Sequence, residues 1–155
     1  MRNRIFRFTI YAGVGVATGL IVAGVVVLAE KVLLEAVLHR SLLQQACAPG
    51  LGLWIAVLVL RRADAGDPLS PSTSEEYIRG YHDKSYVLKV LHFPFRLIAG
   101  IATVGLGGAA GLEGPAIYAG ATTGSAIQRR LSWLFRDKDG QALLVAGAAA
   151  GVSAI

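Results

Sequence analysis

Twenty consecutive residues, "IYAGVGVATGLIVAGVVVLA" from Ile10 to Ala29, pass without a charge. As a helix they span about 30 Å, the thickness of a bilayer's hydrocarbon core. Arg2, Arg4 and Arg7 precede the run. A basic leader before an apolar run ending in "VLA" also fits a secretory signal. The apolar core is too long for one, however, and more apolar segments follow. The run therefore reads as an anchored helix. It continues through "EKVLLEAVLHR", whose Val32, Leu33, Leu34, Val37 and Leu38 form an amphipathic end leaving the bilayer.

Composition supports a membrane setting. The chain of 155 residues is 54% hydrophobic and holds 19 glycines. Small residues are common in membrane helices, where they let backbones approach closely. The net charge of +5 does not point to nucleic acid, because the cations sit in short loops between apolar blocks and form no stripe. The single cysteine, Cys47, excludes an internal disulfide and reads as a packing residue.

The chain divides into helices predicted over 8–40, 46–61, 75–82, 87–110, 114–135 and 140–155. Pro49 opens the strongly apolar part of the second, "PGLGLWIAVLVL", about a dozen residues and a weak span by itself. The polar loop after Arg61 and Arg62 contains two capping-box spacings, Ser72 with Glu75 and Thr73 with Glu76. They predict a short helix from about Glu75. Two GxxxG pairs, Gly15 with Gly19 and Gly147 with Gly151, are candidate helix-contact faces. The last segment stops at Ile155 after roughly 22 Å of helix, as if cut part-way.

With the N-terminus cytoplasmic and the first four segments alternating, only Lys31 and Arg40 of the 15 cations fall outside. That is the bias of the positive-inside rule, and Arg96 counts among the inside cations.

From Leu97 to Gln128 the only carboxylate or cation is Glu113, in "GLEGPAIYAG". Proline is favoured at the first helical position, so Gly114 reads as the N-cap and Pro115 as the helix start. The N–H groups of Ala116, Ile117 and Tyr118 would then lack intrahelical partners and carry the positive end of the helix dipole. Such a terminus within a membrane must line a cavity or pack on protein, and it is a ready anion site. Glu113 stands beside it as a competing carboxylate: swung in it fills the site, protonated or displaced it frees it. The other reading is a plain extracellular loop with Glu113 in water, against which the apolar glycines of "GLGGAAG" argue. Gly105, Gly107 and Ala110 also fit a loose dinucleotide fingerprint, but no strand precedes them and no acidic residue follows at the required distance.

"GLGGAAGLEGPAIYAGATTGSAIQRRL", followed by "ALLVAGAAAGVSAI", resembles the CLC family of chloride channels and chloride/proton exchangers. The likeness is specific over 96–155 and collinear over 10–62. It implies an all-α polytopic membrane protein, the first part of an inverted-repeat helical fold with broken, re-entrant helices whose N-termini face a central anion path. It places Glu113 at the gating glutamate, and its broken helices agree with the reading of Gly114 as an anion-binding residue at a helix start. Two departures stand out. Leu112 precedes the glutamate where a cation is usual. The family's serine stretch corresponds best to "PSTSEE", with Ser72 at the anion-holding serine, Glu76 at the glutamate and Glu75 an added charge. Ser72 is then either an anion ligand or only a helix cap, with Thr73 or Ser74 as substitutes. The second half and most of a dimer interface are expected beyond Ile155.

No nucleophile–base constellation appears, so no enzyme is expected, and no cofactor is expected either. The resemblance implies transport of chloride or a similar halide across the cell membrane, with protons, lipid and a second copy as partners and no nucleic acid. A voltage- or pH-gated channel and a chloride/proton antiporter both stay open. The rival is a small non-transporting membrane protein that serves as an assembly or regulatory partner. His39, His82 and His92 show no ligand spacing and read as solvated or interfacial. Tyr118 reads as packing, with lining of the path the other option; Trp54 and Trp133 read as interface or packing aromatics.

Overall fold

A computed structural model of the chain describes residues 2–64, 73–83, 86–131 and 141–155. The expectations for Ser72, its capping box, Trp133 and the end of the fourth long segment lie outside the described residues. Among the described residues every regular element is helical.

Helix α1, Arg2–Val26, passes without a break into a π-helical segment, Val27–Leu34, and a last turn, α2, Glu35–Leu38. In the wider segment the Glu35 N–H donates to Glu30 O, five residues back. The end of α2 is closed by side chains. Nδ1 of His39 lies 2.7 Å from Glu35 O, and Gln45 Nε2 donates to Leu38 O at 2.8 Å and Arg40 O at 2.9 Å. These bonds occupy carbonyls that a helix C-terminus leaves without partners.

Helix α3 runs Leu42–Asp64, beyond the expected 46–61 at both ends and with Pro49 inside it. The ring removes one donor, that to Gln45 O, and the helix carries the loss as membrane helices commonly do. The extra turns correct the expectation of a weak span. Ile5–Leu38 and Leu42–Ala63 are both long and apolar enough to cross a membrane. Cys47, expected to pack, is exposed on α3, and so is Trp54.

Helix α4 spans Thr73–His82 and α5 His92–Gly105, shorter than the expected 87–110 at both ends. Pro94 sits in the first turn of α5, where few donors are needed. The far end is a Schellman motif. Gly107, at φ +87°, lets its own N–H reach Val104 O at 2.9 Å and the Gly108 N–H reach Thr103 O at 2.8 Å. His92, expected to be solvated or interfacial, is buried, because the later helix start puts it at the head of α5 among packed helices.

Helix α6, Glu113–Arg130, and α7, Ala142–Ser153, form the tightest pair. Gly120 faces Gly147, Gly124 faces Leu143 and Gly151 faces Ala116, so the two helices run antiparallel with backbones touching. A Cβ at any of these glycines would overlap a carbonyl oxygen of the other helix. The second GxxxG thus packs, whereas Gly15 and Gly19 face open space. Val14 and Val22 of α1 cover the pair, on Leu143 and on Ala116 with Ala119. Helix α3 lies along α5 in the opposite sense, Gly52 against Ala102 and Pro49 near Gly107. Gly105 seats the π-helical segment through Leu33 and Ala29.

Candidate functional site

The Schellman turn redirects the chain at Gly107, and Leu112, buried at 5% exposure, caps α6. The helix therefore starts at Glu113, not at Pro115, and Gly114 is not the N-cap. The Ala116 N–H already bonds Leu112 O at 2.9 Å, leaving the N–H groups of Glu113 and Gly114 as the ones with no carbonyl a turn back. Two causes favour the early start. Glu113 in the first turn complements the positive end of the dipole, and Pro115 lies in the same turn, where its missing donor costs little.

Glu113 is exposed, and its carboxylate folds back over Gly111, Oε2 lying 2.9 Å from where a Cβ on Gly111 would stand. Beside it the first turn of α4 comes in. A Cβ on Gly114 would lie 2.6 Å from Thr73 Oγ1. Two helix N-termini, of α4 and α6, thus meet at one point. They border an open cleft of ≈ 350 Å³ whose walls include Thr73, Arg96, Gly100, Gly111 and Pro115, with α3 closing one side through Ala56.

Arg96, counted from sequence among the inside cations, is buried in that wall. Its guanidinium pairs with Glu76 Oε1 at 2.8 Å, the two side chains only 7% and 5% exposed. The same guanidinium stacks on the Tyr118 ring, 4.8 Å from its centroid. Tyr118 is buried among Leu88, Ala121, Leu144 and Ala148, which is the packing role, and its hydroxyl donates to Lys89 O at 3.2 Å. At the edge, Arg79 stacks on Tyr86. Burial pushes the Tyr86 phenol above its ordinary value; the Glu76 charge adds to this, and Arg79 and Arg96 oppose it.

Sequence reasoning named Glu113, Gly114, Glu76 and Tyr118 singly but missed the grouping of Glu76, Arg96 and Tyr118. The signal was there: a cation just inside an apolar block has to find an anion.

Residues 51–155, from within α3 through α7, match the family described as voltage gated chloride channel. The chain belongs to the voltage-gated chloride channel family. The matched residues hold α4, α5 and α6, the elements that build the cleft. No curated protein and no solved structure matches the chain. Membership, with the two helices of membrane-crossing length, makes this a helical membrane protein of CLC type.

Proposed function

We propose that the chain builds the gated part of a path for chloride or a similar halide, as a channel or a chloride/proton antiporter, with Glu113 as the gate. The carrying observation is the meeting of two helix N-termini at Thr73 and Gly114 beside the Glu113 carboxylate. Partial positive charge from both helices converges there, and an anion or the carboxylate can neutralise it. The hydroxyl beside Gly114 belongs to Thr73, which takes the part that the family resemblance gave to Ser72. In the native gene product the N-terminus is cytoplasmic, the protein sits in the cell membrane, and two copies associate.

Protonating Glu113 removes the competing anion, so flux rises at acidic pH. In liposomes carrying the native gene product, Glu113→Gln is expected to conduct at neutral pH with the acid response gone. An unchanged pH profile in that variant would sink the reading. The rival, a non-transporting packing partner, draws on the open glycine face of α1 at Gly15 and Gly19. It gains if the native protein shows no halide binding that depends on Glu113.

A further inference from the structure

Tyr118 makes three contacts that core packing alone does not require. Its ring face lies under the Arg96 guanidinium, its hydroxyl ties α6 to the Lys89 carbonyl ahead of α5, and the same hydroxyl is within hydrogen-bonding reach of the Glu76 carboxylate. Arg96 in turn holds Glu76, one turn along α4 from Thr73. A guanidinium can swing on three carbons, and side chains of its length lose much rotamer freedom when fixed. Something must hold it on the Glu76 side of the cleft, and a ring face does so through its negative quadrupole.

We propose that Tyr118 is a positioning residue for the anion path. By holding Arg96 on Glu76 it fixes the first turn of α4, so that the Thr73 hydroxyl stays against Gly114. Loss of the ring lets Arg96 leave Glu76, the first turn of α4 loosens, and the two N-termini no longer converge. The inference rests on the halide-path reading above.

The test is the half-saturating chloride concentration for flux in liposomes carrying the native gene product. Tyr118→Phe keeps the ring and loses the hydroxyl, and it is expected to stay within about twofold of wild type. Tyr118→Leu is expected to raise half-saturation by about three- to tenfold, with maximal flux less affected. Leucine also leaves a void, so a second variant separates packing from stacking. Pentafluorophenylalanine at position 118 keeps the ring's shape but drains its negative face, and it should match the leucine variant. In an Arg96→Met background, either change should add nothing further. If the fluorinated variant behaves like Tyr118→Phe, or if the effects add to Arg96→Met, Tyr118 is a packing residue and the inference is overturned. A wild-type protein with no saturable chloride flux would instead sink the halide reading, and the positioning role would fall with it. That failure shows before any variant is made.

Discussion

The Thr73 hydroxyl stands against the α carbon of Gly114, close enough that a methyl group there would lie 2.6 Å from the oxygen. The contact joins the first turns of two helices separated by 40 positions in sequence, and it leaves no room for a side chain at 114.

Gly114→Ala should therefore push the Thr73 hydroxyl aside or shift the first turn of α4. Threonine is stiff about χ1, so the displacement is not absorbed freely. The expected result is an increase of about tenfold in half-saturating halide for flux. Thr73→Ala in the same chain should recover part of the loss by removing the clash. If the double variant is worse than Gly114→Ala alone, the contact is not what limits position 114.

The Glu76–Arg96 pair gives a prediction about stability. Both side chains are buried, so removing one partner takes from the other a buried ion-pair bond, at a cost of about 3–5 kcal/mol. Arg96→Met or Glu76→Gln should each lower the detergent melting temperature sharply. Changing both should cost less than the sum, because the two share one buried ion pair. Additive losses would show that the ion pair does not couple the two helices.

Glycines of the same GxxxG type should respond oppositely according to where they sit. Gly120→Ala or Gly147→Ala drives a methyl into the facing carbonyl and is expected to destabilise by about 1–3 kcal/mol or more. Gly15→Ala meets nothing within reach and should be neutral, or stabilising by about 0.5–1 kcal/mol through helix propensity. Melting curves of the three variants decide it. A large loss at Gly15 would reveal that the open face of α1 is covered by another helix in the assembled protein.

Which parts were legible from sequence follows from how far apart the interacting residues are. The long α1, the start of α6 within two residues and the second GxxxG face all depend on neighbours along the chain, and each left a local pattern. The start of α6 was misplaced because proline's preference for the first helical position outweighed the carboxylate's. Glu113 takes that position itself and moves the proline inward. Helix α3 was read too short at both ends, because the expected 46–61 followed the apolar residues and the helix also takes in Leu42–Gln45 and Arg62–Asp64. The Glu76–Arg96–Tyr118 group spans α4, α5 and α6, and no periodicity reports a contact between residues 20 and more apart. The choice between Gly15 and Gly147 was equally hidden: both pairs have the same spacing, and only the placement of a partner helix separates them.

The last prediction concerns Gly107, which ends α5 and aims the chain toward Glu113. Its φ of +87° lies where a side chain is strained, and its N–H and that of Gly108 satisfy two carbonyls of the last turn. Gly107→Ala is expected to cost about 1–2 kcal/mol, and Gly107→Asn less, because asparagine tolerates the left-handed region better. The loss should not stop at stability. Residues 108–111 carry the chain from this turn to the cap of α6, and Gly111 lies under the Glu113 carboxylate. A turn that relaxes moves the carboxylate relative to the N-termini of α4 and α6. On the proposed halide path, the half-saturating halide concentration for flux should therefore rise in Gly107→Ala and rise less in Gly107→Asn, following the order of their melting temperatures. A melting loss with no change in half-saturation would separate the turn from the path and leave Gly107 with only its role in ending the helix.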